Sequence, residues 1–208
     1  MDSISRLTEY FREFPGIGPR QAKRFVYFLL TRNHRFIEEL TSALLDLQKQ
    51  IAQCQDCKRY FPLGKIERTR CTICSDKNRD GTLLMVVEKD VDLETVEKSK
   101  VYNGFYFVLG GSLPILEKVP QDKIRANELL TLVNQKIAGN NPKLKEIILA
   151  ISATTEGENT LDYLNGFLGP IALMNDIKIS MLGRGLATGT ELEYSDTDTI
   201  KNALKNRQ

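Results

Sequence analysis

The chain has 208 residues, of which 41% are hydrophobic, and this composition excludes an intrinsically disordered protein. Lys and Arg number 29 against 27 Asp and Glu, so the net charge of +2 does not by itself indicate a nucleic-acid partner. Any nucleic-acid role must come from where the basic residues lie.

Neither a signal peptide nor a membrane span is evident. The N-terminus lacks an uninterrupted apolar core, and no segment approaches the roughly 18 apolar residues that a spanning helix needs. We therefore expect a cytoplasmic protein.

Apolar residues recur at helical spacing in the N-terminal segments, and they predict helices over residues 3–13, 19–31 and about 36–53. The sequence FPGIGP separates the first two helices with almost no loop. Its last residue, Pro19, suits a first helical position. A small helical bundle of about fifty residues is the prediction for this part of the chain.

The turn between the first two helices has features of a phosphate-binding site. Gly16 and Gly18 let the backbone approach a phosphate closely, and the N–H groups that open the second helix lie at the positive end of its dipole. Arg20, Lys23 and Arg24 follow on one side of that helix. The pattern predicts a helix-hairpin-helix that contacts DNA phosphates without reading bases. An ordinary turn with a basic surface is the alternative.

The four cysteines form two closely spaced pairs, Cys54 with Cys57 and Cys71 with Cys74, separated by thirteen residues. Two such pairs supply four thiolates at tetrahedral reach, which favours a closed structural zinc site with no open position for catalysis. Disulfides, idle thiols or a redox pair are the alternatives. The intervening loop carries basic residues that could contact phosphates or could simply be solvated: Lys58, Arg59, Lys65, Arg68 and Arg70.

Beyond the cysteines, short apolar runs alternate with helical stretches. The runs predict buried strands at residues 83–87, 105–109, 147–151 and 177–182. Helical stretches near residues 92–99, 122–138 and 157–168 separate them. This order predicts an α/β domain with a largely parallel sheet.

Carboxylates follow two of the predicted strands. Glu88 ends the first strand, and Glu156 and Glu158 follow the third. The carboxyl ends of parallel strands share one edge, so these groups could converge there and hold Mg²⁺ for phosphoryl transfer. Stabilisation of a helix N-terminus is the alternative.

Taken in order, these motifs resemble the RecR family along essentially the whole chain. The resemblance rests on the GIG hairpin, the four-cysteine finger, VVE followed by GFYFVLGG, ILA followed by TTEGE, and GRGLATGTELEYSD. It implies a helix-hairpin-helix domain (1–52), a C4 zinc finger (53–78), a Toprim domain (79–176), and a C-terminal Walker B-like segment and tail (177–208).

The resemblance also implies a function in DNA repair at the nucleoid. RecR proteins act with RecO, and with RecF where present, to load recombinase onto single-stranded DNA. The family's basic hairpin positions fall on Arg20 and Arg24, its zinc ligands on the four cysteines, and its Toprim glutamate on Glu88. Its acidic EGE falls on residues 156–158.

The Toprim resemblance also bears on catalysis. Toprim enzymes supply metal-binding carboxylates from a DxDxxG motif, and the corresponding stretch here, Ser152 to Gly157, lacks both aspartates. Glu88 alone offers too few hard ligands for a catalytic Mg²⁺. We therefore expect a scaffold that uses Glu88, Glu156 and Glu158 to bind a basic partner protein. A Toprim-type metal-dependent nuclease or primase-like enzyme is the alternative.

One small basic hairpin per chain offers few phosphate contacts. Several hairpins in one assembly would add their contacts, so we expect a homo-oligomer. The resemblance implies dimers that pair into ring-like tetramers able to bind single- and double-stranded DNA.

Overall fold

The computed structural model describes residues 1–64, 68–116, 123–139, 142–186, 189 and 191–206. The chain divides into two compact units, Met1–Ile51 and Ala52–Gln208. Lys65 of the finger loop and residues 187, 188 and 190 of the C-terminal segment lie outside the described residues. Among the described residues, no helix combines the length and the hydropathy needed to cross a membrane.

The first unit is helical and contains α1 (Ser3–Arg12), α2 (Pro19–Leu30) and α3 (His34–Gln50). α1 begins where the Asp2 carboxylate accepts a hydrogen bond of 2.9 Å from the backbone of Ser5. Apolar residues on α1 and α2 join these helices: the rings of Phe11 and Phe25 meet edge to face with centroids 5.6 Å apart. Their contact makes α1 and α2 a packed pair around the intervening turn.

α3 differs from the sequence prediction at both ends. It begins at His34 rather than near residue 36, because the Asn33 side chain accepts a hydrogen bond of 2.9 Å from the backbone of Phe36. It ends at Gln50, where Ile51 adopts an extended conformation and starts β1 (Ile51–Gln53). The polar cap and the strand, rather than apolar periodicity, set these limits.

The second unit starts with a finger built from short elements that the sequence did not predict. β1 pairs with β2 (Tyr60–Pro62), and α4 (Thr72–Ser75) carries the last cysteine. Elements this short have too little apolar periodicity to be recognised in a sequence.

A parallel sheet follows. Among the described residues it contains β3 (Asp80–Val87), β4 (Gly104–Val108), β5 (Glu146–Ala150) and β6 (Lys178–Met181), in the order β4-β3-β5-β6. Helices α5 (Asp90–Ser99), α6 (Ala126–Ala138) and α7 (Thr155–Met174) connect the strands. Val87 pairs with Val108 on one side and with Ala150 on the other, so the carboxyl ends of three strands align. The predicted α/β class with a parallel sheet is confirmed.

Two apolar clusters cover the sheet. One contains Leu84, Val86 and Phe107 together with Leu129 of α6 and Leu164 of α7. The other joins residues of the strands, α5 and the finger: Met85, Val87, Leu93, Tyr106, Val108, Phe61, Ile73, Cys54, Cys57 and Cys71. Alternate strand residues therefore face α6 and α7 on one side and the finger with α5 on the other.

α7 is longer than the predicted helix at residues 157–168, and a further helix at residues 197–205 was not predicted. α7 continues to Met174 through Pro170, because Leu168 and Ala172 are buried in the core and their burial outweighs the hydrogen bond that the proline removes. α8 (Thr197–Lys205) follows a short 3₁₀ turn at Leu192–Tyr194. Asp196 caps α8 through the backbone N–H of Thr199 at 2.9 Å.

Candidate nucleic-acid interface, metal centre and acidic edge

The hairpin between α1 and α2 has the geometry that its glycines predict. Gly16 has a φ of +75°, a left-handed conformation that side chains rarely adopt. Gly18 is extended and caps α2, and Pro19 occupies the first turn. In this described segment no side chain caps the N-terminus of α2. The outward N–H groups of the first turn are therefore suited to an anion.

The basic side chains of the hairpin are exposed. Arg20, Lys23 and Arg24 all lie on the surface near the start of α2. Arg24 donates a long hydrogen bond of 3.4 Å to Gln21, and the Lys23 ammonium lies 6.0 Å from the ring centre of Tyr27. Both contacts leave the cationic groups accessible to solvent.

The four cysteine sulfurs come together within 4.8 Å of one another. The sulfurs of Cys57 and Cys71 are 3.6 Å apart, and the backbone N–H of Cys71 donates to the Cys54 sulfur at 3.3 Å. A tetrahedral zinc ion with bonds of about 2.3 Å requires sulfurs about 3.8 Å apart. The donor set and its spacing therefore fit one metal ion.

Two tight turns bring the sulfurs together. The backbone of Lys58 donates to the oxygen of Cys54 at 3.1 Å, and Lys58 adopts a left-handed φ of 63°. Cys71 caps α4, whose single turn carries Cys74. The N–H of Gln55 donates to the oxygen of Thr69 at 2.9 Å and ties the two turns to each other.

The thiols influence one another's ionisation. The pKa of Cys54 is strongly lowered, because the thiols of Cys57, Cys71 and Cys74 donate hydrogen bonds to its thiolate. The pKa values of Cys57 and Cys74 are raised, first because they act as donors to Cys54. A bound cation removes this competition, since it stabilises all four thiolates together.

Hydrogen bonds connect the finger to the parallel sheet and to α5. The backbone N–H of Val108, in edge strand β4, donates to the oxygen of Cys57 at 2.8 Å. The N–H of Tyr60 donates to the carboxylate of Asp90 at 2.8 Å, at the start of α5. Backbone hydrogen bonds therefore tie the cysteine cluster to the edge strand and to the start of α5.

The acidic residues at the carboxyl edge have different environments. Glu88 is 5% exposed, and its carboxylate accepts a hydrogen bond of 2.7 Å from the backbone N–H of Ser152. Glu156 and Glu158 are exposed on the first turn of α7. Ser112 donates to Glu156 at 3.2 Å, and Glu158 forms an ion pair with Arg184.

Ser152 and Thr154, the residues that the sequence aligns with the DxDxxG aspartates, take part in hydrogen bonds near the start of α7. Ser152 donates its N–H to Glu88, and the hydroxyl of Thr154 accepts a hydrogen bond of 3.1 Å from Gly157 at the start of α7. A Cβ on Gly157 would overlap the backbone oxygen of Ser152, so this turn requires glycine. The loop has the glycine of this motif and a threonine cap, and neither of the two aligned positions is an aspartate.

Two residues of α7 that the sequence did not indicate as functional bind the loop at residues 113–114, which follows β4. Thr160 is completely buried, and its hydroxyl accepts from the N–H of Leu113 at 2.8 Å. Asn159 donates to the oxygens of Leu113 and Pro114 at 3.1 and 3.2 Å. Nothing in the sequence distinguishes these residues from solvent-facing helix positions, since their partners come from a distant loop.

Comparisons with known proteins agree with this architecture. Residues 4–47 match the model of the RecR helix-hairpin-helix, residues 82–182 match a Toprim domain, and residues 185–208 match the RecR C-terminal model. The recombination protein RecR of Legionella pneumophila (strain Corby) is 38% identical over 207 residues, covering 100% of this chain and 98% of the relative. The chain belongs to the RecR family.

More distant RecR proteins align over nearly the same length. The recombination protein RecR of Chloroherpeton thalassium is 35% identical and covers 99% of this chain and 96% of its own. The recombination protein RecR of Lactobacillus helveticus is 33% identical, and the alignment covers 98% of this chain and 96% of the relative. The helical unit, the parallel sheet and the C-terminal segment thus fall within one continuous RecR alignment.

Proposed function

We propose that the protein is a DNA-binding mediator of recombinational DNA repair that acts at the nucleoid and catalyses no reaction. With a RecO-like partner, and with RecF where present, it would load recombinase onto single-stranded DNA. The observation that carries the proposal is the exposed row of Arg20, Lys23 and Arg24 beside an uncapped helix N-terminus, within the segment that matches the RecR helix-hairpin-helix. Membership of the family over the full length supports it.

In this proposal the hairpin binds single- and double-stranded DNA through phosphates. Gly16 and Gly18 allow close approach of the backbone, and the three cations supply charge. Contacts of this kind give affinity that falls steeply with salt and varies little with sequence.

The cysteine centre would hold one structural Zn²⁺ per chain. Four thiolates close the coordination shell and leave no position for a substrate or water, so the ion would contribute folding stability rather than chemistry. We accordingly assign residues 53–78 to a zinc finger, between a helix-hairpin-helix domain (1–52) and a Toprim domain (79–176), with a Walker B-like segment after it (177–208).

The acidic edge would bind the basic partner. Glu156 and Glu158 are exposed and can meet Lys or Arg side chains, whereas the buried Glu88 would act indirectly by holding the loop at Ser152. The residue types at this edge favour a scaffold over an enzyme. Ser152 and Thr154 stand where a Toprim enzyme has aspartates, so two metal-binding carboxylates are absent.

A homodimer or ring-like homotetramer would present several hairpins to one DNA molecule. Apolar side chains remain exposed in regions that could supply the contacts: Leu44 and Leu47 of α3 are 57% and 59% exposed. Leu182 and Leu192, in the C-terminal segment that follows Ile177, are also exposed. Light scattering over a concentration series tests this part, and a monomer at every concentration would refute it.

The DNA proposal is tested by reversing charge at the hairpin. We expect Arg20→Glu with Arg24→Glu to lower DNA affinity by at least about 100-fold at physiological salt, since two phosphate contacts become repulsive. Arg35→Glu with Lys49→Glu makes the same charge change on exposed positions of α3 and should have a much smaller effect. Binding is titrated at two salt concentrations, and circular dichroism confirms folding.

An equal loss in both double variants would show that only total charge matters. Unchanged affinity in a folded Arg20→Glu, Arg24→Glu protein would place the DNA site elsewhere. Either result overturns the hairpin as the DNA-binding element.

A further inference from the structure

Lys136 lies on α6, in the same hollow as the cysteine centre. The hollow has a volume of about 220 Å³, and Cys74, Asp56, Phe105 and Lys136 are among the residues that line it. Cys74 is the most exposed of the four cysteines, and it is the cysteine that lines this hollow. A helix of the Toprim domain therefore contributes a cation to the surroundings of the metal centre.

The ammonium of Lys136 has no carboxylate partner in the described part of the chain. Two nearby cations have carboxylate partners: Arg70 contacts Asp56 at 2.9 Å, and Lys58 contacts Glu128 at 3.9 Å. Lys136 instead lies 4.2 Å from the ring centre of Phe105. Its position is half-buried, so contact of the ammonium with water is reduced.

A cation in this position is costly unless an anion faces it. Four thiolates around one divalent cation carry a net charge of two negative units, so the metal-loaded centre is an anion at the wall of the hollow. The charge of Lys136 and the charge of the loaded centre are opposite and lie across a half-buried space, where screening by water is weakened.

We propose that Lys136 is a positioning residue of the metal centre, whose charge balances the metal-bound thiolates and raises their affinity for the ion. Phe105 holds the ammonium over its ring, and α6 thereby couples metal binding to the Toprim core. Lys136 does not ligate the metal. The inference rests on the zinc centre proposed above, and it concerns a residue that lies outside the finger and its cysteines.

The test compares Lys136→Met with Lys136→Arg in the full-length protein. Methionine keeps the packing against Phe105 and removes the charge, whereas arginine keeps the charge. We expect Lys136→Met to lower zinc affinity, measured by competition with a chromophoric chelator, by about 10- to 100-fold, the range found for groups that support metal ligands. The separate variant Lys136→Arg should retain most of the zinc affinity of the unmodified protein. Lys143→Met, at an exposed lysine of the same unit, should leave that affinity unchanged.

Thermal melts with zinc and with excess chelator separate charge balance from ordinary packing. Lys136→Met should lower the melting temperature of the zinc-loaded protein. It should leave the metal-free protein equally or more stable, because without zinc no anionic metal–thiolate centre is present to stabilise the ammonium. A loss of the same size in both forms would assign Lys136 a packing role only and overturn the inference.

Metal analysis of the unmodified protein comes first. Absence of bound metal would refute the proposed centre itself. Bound zinc whose affinity is the same in Lys136→Met and in the unmodified protein would refute the role of Lys136 while leaving the centre intact.

Discussion

The carboxylate of Glu88 accepts a hydrogen bond of 2.7 Å from the backbone N–H of Ser152, across the carboxyl ends of β3 and β5. Glu88 thus fixes the loop that leads into α7, from which Glu156 and Glu158 project. We expect Glu88→Ala to lower the free energy of unfolding by about 2 kcal/mol, because the Ser152 N–H loses a charged partner. Glu88→Gln keeps an acceptor and should cost about half as much. Urea denaturation measures both, and equal losses would show that the hydrogen bond contributes little.

DNA cleavage and synthesis should both be absent with Mg²⁺ or Mn²⁺. Ser152 and Thr154 stand at the aspartate positions of the Toprim motif, and neither is anionic, which leaves too few anionic ligands for a catalytic ion. The measurement is a nuclease and primer-synthesis assay with purified protein. Reproducible activity that disappears in Glu88→Gln would establish the enzyme alternative instead.

Replacing Cys71 by Ser should remove the metal and destabilise the second unit. Cys71 contributes a sulfur 3.6 Å from that of Cys57, and three remaining thiolates bind zinc much more weakly. Since Cys57 also holds Val108 of β4, we expect a loss of several kcal/mol in unfolding free energy. Zinc content and thermal melting measure the effect, with the exposed Ser75→Ala as control. Full zinc content in Cys71→Ser would contradict a four-thiolate site.

Alanine substitutions at two glycines of α7, Gly157 in the first turn and Gly166 in the interior, should have opposite effects on stability. At Gly157 the added methyl would overlap the backbone oxygen of Ser152, so Gly157→Ala should cost about 2–3 kcal/mol. At Gly166 no atom outside the helix's own backbone lies within 4 Å of an added Cβ, so Gly166→Ala should stabilise by about 0.5–1 kcal/mol. Chemical denaturation gives both values. Stabilisation in both variants would contradict the tight approach at Ser152.

The ion pair between Glu158 and Arg184 should compete with a basic partner protein. We expect Glu156→Ala to weaken binding of a RecO-like protein about tenfold, since it removes an exposed carboxylate. Arg184→Gln should strengthen binding about two- to fivefold, because Glu158 is released from an exposed pair of modest strength. Calorimetric titration measures each affinity. Undiminished binding by Glu156→Ala would remove the acidic edge from the interface.

The sequence was sufficient to predict features whose geometry depends on only a few neighbouring residues. Gly16, Gly18 and Pro19 specify the turn and the start of α2 by their backbone preferences alone, so the exposed basic row after them could be predicted. The paired cysteines need only local turns to chelate a metal. Apolar runs gave the strands of the parallel sheet because burial on both faces leaves a continuous pattern.

Only the tertiary structure decided which charged side chains are exposed to solvent and which are buried or hydrogen-bonded within the protein. Glu88 and Glu156 are both glutamates near strand ends, yet one is buried against Ser152 and the other faces solvent. Lys136 of α6 and Cys74 of the finger line one hollow, although 61 positions separate them in the chain. Burial and charge pairing depend on contacts between segments far apart in the chain, and residue types with their local spacing do not encode those contacts.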